Sequence, residues 1–207
     1  PNGSDLPGFA NNANGWDYDA YTGRIYSTGS YNSQASYYFD PDANTVVHYG
    51  SHPVAGHRSR TESLDNGICY TFGRQRSGPH TEIYRLDIDT HTFSYIQNGP
   101  TTGAEHTAYF PTANIIYYWG SWSDDTHLYK FDIGDESYST LTGVAPNSMQ
   151  EGVLVHDKII MYGGGRQTFS NAVWIWDPLT DENLIQLFYN LSPTPVPTPD
   201  PTPNPTE

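Results

Sequence analysis

His48, His52 and His57 stand within ten residues of one another, and His106 holds a matching place further along the chain. Imidazoles that close could hold zinc or copper if a third ligand joined them. Their spacing argues otherwise, because no HxH, HExxH or CxxC pattern occurs. Asp40-x-Asp42-x-Asn44 opens like a calcium loop, but Thr45 stands where such a loop needs Gly and Ser51 where it needs Glu. A hairpin turn explains the same residues. Ser123-Asp124-Asp125 is read the same way. Asp19, Asp87, Asp132 and Asp177 recur in one pattern, and a catalytic group is not needed four times, so they are read as corner residues. Cys69 is the single cysteine and cannot form an internal disulfide; its setting, ICYTF, predicts a small buried strand residue. In YWGSWSDD, Trp122 could stack on a sugar ring, while Trp119 is expected to fill space between sheets. No GxSxG, P-loop or dinucleotide motif is present. The chain is expected not to be an enzyme and to need neither cofactor nor metal.

The elements that carry these residues are strands. Aromatics make up 14% of the 207 residues, with seventeen Tyr and only two Lys. Aromatic and β-branched side chains suit a half-buried pleated surface, whereas exposed helix faces favour Lys, Glu and Ala. The net charge of −14 makes nucleic acid and anionic membranes unfavourable partners. No run approaches the roughly 18 apolar residues of a membrane-spanning helix. The start at Pro1 is expected to be a mature or trimmed end.

One pattern repeats. YRLDIDTHTFS, YKFDIGDESYS and WIWDPLTDENL follow one another at 45-residue intervals, and WDYDAYTGRIYS is an earlier copy. Large apolar residues at −1 and −3 from the Asp share one face of a strand. A Thr or Asp three residues on (Thr22, Thr90, Asp135, Thr180) caps a tight turn, and a second strand follows. A second hairpin type ends in an aromatic and Gly, at Gly50, Gly73, Gly120 and Gly163. The first type is expected at about 12–28, 82–97, 127–141 and 172–188. The second is expected at about 34–50, 58–73, 104–120 and 149–163, with two of that type consecutive. Sixteen strands in units of about 45 residues predict an all-β, propeller-like array of about four four-stranded antiparallel blades.

These residues resemble the Kelch family of β-propellers. The aromatic–Gly strand end, best in IIMYGGG at 159–165, and the Asp-x-x-Thr corner carry the resemblance over residues 15–188. It departs from the pattern in keeping the double Gly only at Gly163–Gly164 and in lacking the usual fourth-strand Trp. Propellers of the family mostly have six or seven blades, so four copies leave it open whether the ring closes. An arc would expose edges that a neighbouring copy could cover.

Two domains follow: the array at 1–190 and a tail at 191–207. Pro occupies every second position from Pro193 to Pro205, which predicts an extended polyproline II segment of roughly 50 Å. The tail resembles the X-Pro modules of hydroxyproline-rich cell-wall glycoproteins. That resemblance implies hydroxylation and glycosylation at Pro193, Pro195, Pro197, Pro199, Pro201, Pro203 and Pro205, with Ser192, Thr194, Thr198, Thr202 and Thr206 as further hydroxyls. Asn2-Gly-Ser4 and Asn190-Leu-Ser192 are N-glycosylation sequons. The expected protein is an extracellular, glycosylated structural subunit of a cell surface or fibre. Its partners would be its own copies or other extracellular proteins, and its glycans covalent. A glycan- or protein-binding module of a larger secreted protein is the alternative, with Trp122 as the possible sugar contact. A fragment of a carbohydrate-active enzyme is the third reading.

Overall fold

A computed structural model of the chain describes residues 15–29, 33–54, 58–74, 81–99, 106–119, 127–144, 151–155, 158–162, 172–177 and 185–188. They form sixteen strands, with no helix among the described residues. The first sheet contains β1 (Trp16–Asp19), β2 (Arg24–Ser27), β3 (Ala35–Asp40) and β4 (Thr45–Ser51). The second contains β5 (Arg58–Ser63), β6 (Ile68–Arg74), β7 (Thr81–Asp87) and β8 (Thr92–Asn98). In the third are β9 (His106–Phe110), β10 (Ile115–Trp119), β11 (His127–Asp132) and β12 (Ser137–Val144). The fourth holds β13 (Glu151–Val155), β14 (Lys158–Tyr162), β15 (Ala172–Trp176) and β16 (Ile185–Phe188). Within each sheet the strands pair antiparallel in chain order. The first strands touch in series, β1 to β5, β5 to β9 and β9 to β13. The four sheets are therefore the blades of a propeller-type array, with first strands innermost. Both hairpin types lie where the sequence puts them.

The two consecutive aromatic–Gly hairpins now have a reason. Blade 1 begins with its Asp-x-x-Thr hairpin, β1–β2, whereas blades 2, 3 and 4 end with theirs. β3–β4 and β5–β6 are thus neighbours in the chain but belong to different blades. The four Asp residues are consequently not equivalent. Asp19 lies on an inner strand and is fully buried, while Asp87 lies on a third strand and is half-buried.

Corner chemistry follows the expectation in two copies and departs from it in a third. Asp19 accepts hydrogen bonds from the Thr22 amide (2.8 Å) and hydroxyl (2.7 Å), and Asp87 accepts the same pair from Thr90 at 2.9 and 2.8 Å. With Asp135 in place of Thr, Asp132 accepts from the Gly134 amide instead, and Asp135 takes the Ser137 amide and hydroxyl. Asp40 is likewise a turn residue, accepting from the Ala43 amide and from Arg24.

A further device was not visible in the Asp pattern. Among the described residues, the fourth residue past the strand end is left-handed in six hairpins: Gly23 (φ 70°), Asn44 (51°), Gly67 (85°), His91 (54°), Asn114 (57°) and Glu136 (53°). That conformation is cheap only for Gly, and tolerable for Asn.

Three apolar clusters fill the spaces between consecutive blades. Tyr26, Cys69, Leu86 and Ile88 lie between blades 1 and 2. Phe72, Ile83, Tyr118 and Phe131 lie between blades 2 and 3. Trp119, Tyr117, Leu128, Ile159 and Trp176 lie between blades 3 and 4. Trp119 fills the inter-blade gap as its sequence context predicts, and Cys69 is a buried, free strand residue.

Two glycines separate backbone strain from crowding. A Cβ at Gly23 or at Gly50 would meet nothing within 4 Å, but only Gly23 has a left-handed φ. Gly23→Ala is expected to lower unfolding free energy by about 1 kcal/mol, and Gly50→Ala by less than about 0.5 kcal/mol. Urea unfolding of both variants reads the difference.

Candidate functional site

At the first junction, polar groups reach across from blade to blade. Ser63 donates its hydroxyl to Asp19 (2.8 Å) and its amide to Asp17 (2.5 Å), and Ala20 donates its amide to Asp65 (2.8 Å). The Thr28 and Thr61 hydroxyls lie 2.8 Å apart. At the second junction the device recurs, with the Tyr109 amide donating to Glu62 at 2.5 Å. A carboxyl group on the first strand of one blade thus grips an amide on the first strand of the next. Burial drives Glu62 up to about 8, helped by the charge of Asp17, and drives Asp17 up to about 6. Ala108, on the corresponding face of β9, carries no such group.

The candidate functional surface is the fourth junction, between blade 4 and blade 1. Antiparallel register fixes which side chains share a face. On blade 1, Asp17, Tyr26 and Tyr38 turn toward blade 2, so the opposite face carries Tyr18, Ile25, Phe39 and Val46, with Trp16 and Tyr37 alongside. On blade 4, Leu154, Ile159 and Trp176 turn toward blade 3. Its opposite face carries Val153, Ile160 and Ile175 in register, with Val155 and Val173 beside them. Both outer faces are apolar, and neither is covered as the inner faces are. Tyr18 is 54% exposed, Val153 47% and Val155 38%. Among the described residues no contact between β13 and β1 matches those joining the other first strands. An ion pair, Lys158 to Asp177 at 2.6 Å, edges the blade 4 face.

A shallower feature lies between blades 2 and 3. A cleft of about 510 Å³ is walled by Leu64, Ile68, Tyr70, Arg85, Asp135 and Glu136, among others. The Tyr70 hydroxyl donates to Glu136 at 3.0 Å within it.

The residues singled out from sequence for chemistry divide sharply. Trp122, Asn2, Asn190 and the Ser192–Thr206 tail positions lie outside the described residues. His52 is buried against the edges of Tyr84 and Phe93, with its ring nitrogens near Thr71 and the Val54 amide. Desolvation pulls it down to about 4. His106 lies near Arg60 (3.3 Å) and against Trp119. His48 is exposed beside Tyr37. Among the described residues, no three His, Cys, Asp or Glu gather as a metal site. None of their helices could cross a membrane, since none exists. Sequence reading missed the two end faces. The available signal was the unbroken apolar runs IIMY and AVWIW in the last blade, because strands covered on both sides lose their polar alternation.

No protein-family model matches the chain, and no curated protein matches it. Solved structures share its fold. The structure of YjhT matches with a TM-score of 0.67 at 15% identity, over 88% of this chain and 66% of that one. A chain in the crystal structure of a nidogen/laminin complex matches with a TM-score of 0.58 at 10% identity, over 79% of this chain and 58% of that one. At these identities the likeness is one of fold. The match leaves roughly a third or more of each of those chains beyond the blades described here.

Glu62 sets a pH dependence whose sign is fixed. Folded, it holds its proton up to about pH 8; unfolded, it releases it near its ordinary value of 4.5. Its contribution is therefore complete at low pH and lost as pH rises through 8. His52 acts oppositely, losing stability as pH falls from 6.5 toward 4, so the window above 6.5 isolates the carboxyl. The melting temperature is expected to fall by several degrees, ~3–5 °C, between pH 6.5 and 8.5. Glu62→Gln should remove most of that fall, and thermal melts across the window check it.

Proposed function

We propose that the chain is an extracellular, glycosylated structural protein, a subunit of a cell surface or fibre, acting through protein–protein contact at its open junction. The observation that carries this reading is the pair of apolar blade faces at the two ends of the array, with Tyr18, Val153 and Val155 standing in solvent. A soluble domain that worked alone would gain from polar residues there. Fully burying one such apolar side chain is worth about 1.5–3 kcal/mol, so a contact that covers both faces has a ready source of affinity. The propeller fold suits that role, being built from blades that hold one another by face contact. We assign the chain no reaction.

The secreted setting rests on sequence. The X-Pro tail, the sequons at Asn2 and Asn190, and the acidic, Lys-poor composition support it. The blades are read as degenerate Kelch repeats, supported by the Asp–Thr corners at Asp19 and Asp87 and by the hairpin order. The tail is read as a hydroxylated, glycan-bearing stalk or junction.

A second reading, a binding module within a larger secreted protein, draws on the lengths of the matched chains, of which this chain covers 58% and 66%. The cleft at Tyr70 and Arg85 would then be a place for a glycan or peptide. Loss of binding in an Arg85→Ala variant on a glycan panel would favour it.

Mass spectrometry of the native protein tests the first reading. The peptide spanning 191–207 is expected to carry +16 Da increments on Pro and sugar masses on the residues from Ser192 to Thr206. A tail with neither would contradict the glycosylated role.

A further inference from the structure

We propose that a second copy of this chain covers the open junction, its blade 1 seated against blade 4 of the first copy, head to tail. This rests on the contact role given above and names the partner.

Each copy carries both halves of the junction. The array is made by one operation applied three times: a blade's forward face lies on the backward face of the next. A fourth application brings the blade 4 face (Val153, Val155, Ile160, Ile175) onto a face of the blade 1 type (Tyr18, Ile25, Phe39, Val46). The side chains are complementary in size. At the third junction the aromatics Tyr117 and Trp119 of blade 3 meet Leu154, Ile159 and Trp176 of blade 4. At the open junction the aromatics Trp16, Tyr18, Tyr37 and Phe39 of one end would meet the β-branched residues of the other. Only a head-to-tail pairing repeats the forward-on-backward contact of the three junctions already formed. A two-fold pairing of identical faces would set forward face on forward face, an arrangement none of the three junctions uses.

The area sets the expected strength. Four strands about 4.8 Å apart and five residues long give a face of roughly 19 by 17 Å. Counting side-chain relief on both partners, the contact buries on the order of 1,000 Å², the lower limit for a specific interface. Association is therefore expected in the micromolar range, visible in a concentration series. The contact is heterologous, so it extends from copy to copy until a ring closes or a filament forms.

Two single-face variants test this in a way that distinguishes it from any other dimer. Val153→Asp spoils only the blade 4 face and Tyr18→Asp only the blade 1 face. Both side chains are exposed, so the fold should survive, which far-UV circular dichroism verifies; Val155→Asp replaces the first if it does not. Wild-type protein is expected to grow in mass with concentration in analytical ultracentrifugation. Each variant alone should be monomeric, and an equimolar mixture should yield a dimer, because one intact face of each kind remains. A wild type that stays monomeric up to about 1 mM, or variants that dimerise alone, would overturn the second copy as partner. Cross-linking from Lys158 in native material separates that failure from failure of the contact role. Links to a different protein would keep the role and reject the second copy; no intermolecular link would reject both.

Discussion

A blade covered on only one side is an incomplete structure, and the rest of this molecule follows from that constraint. Four strands make a sheet with two faces, and in this chain both faces of every blade are rich in apolar side chains. The second and third blades meet the requirement by standing between neighbours. Phe72 and Ile83 are covered by Tyr118 and Phe131, and Cys69 and Leu86 on the reverse of the same sheet are covered by Tyr26. Among the described residues, the first strand of blade 1 is in extensive contact with no other first strand than that of blade 2, and that of blade 4 with none but that of blade 3. The outer faces of these two blades keep the composition of covered surfaces, yet Tyr18, Val153 and Val155 on them stand exposed, and the proposed role as an assembly protein grows from that mismatch.

The junctions are held by more than apolar contact. Near the axis, where first strands converge, side-chain carboxyl groups add directional bonds to the packing. Asp17 grips Ser63 and Glu62 grips Tyr109, each fixing the register between blades that share no ladder hydrogen bonds. A carboxyl held in so dry a place resists ionisation, which couples the fit of the blades to proton concentration. Between blades 1 and 2 the same end is further laced by Thr28, Thr61 and Asp19. The outer parts of the junctions, by contrast, are aromatic, with Phe72 stacked on Tyr118 and Tyr117 edge-on to Trp176. Position is thus set at the axis by directional bonds, and cohesion further out by area.

Much of the architecture was legible because its signals are local. A strand's period of two and the residues of a tight turn are written within ten positions. The hairpins at 16–27 and 81–98 could therefore be placed from Asp19, Thr22, Asp87 and Thr90 alone. Their grouping into blades was less legible, since two hairpins of one kind in succession, β3–β4 and β5–β6, do not reveal which belongs with which neighbour. Only the strand pairings show that Asp19 lies inside and Asp87 outside. The left-handed His91 and Glu136 leave no mark in the sequence, because neither residue type advertises that conformation. Asp17 and Glu62 look like ordinary solvated carboxylates until the backbone of the next blade is brought against them. The candidate surface was written in the unbroken apolar runs of blade 4, but two-sided burial reads as a buried core until the missing neighbour is known.

Electron microscopy of the material in its native, unpurified state addresses the central claim most directly. The reading developed here predicts four-blade units joined in register, the β13–β16 face of one against the β1–β4 face of the next, at a repeat set by that junction. Discrete four-blade particles with both end faces in solvent would contradict it.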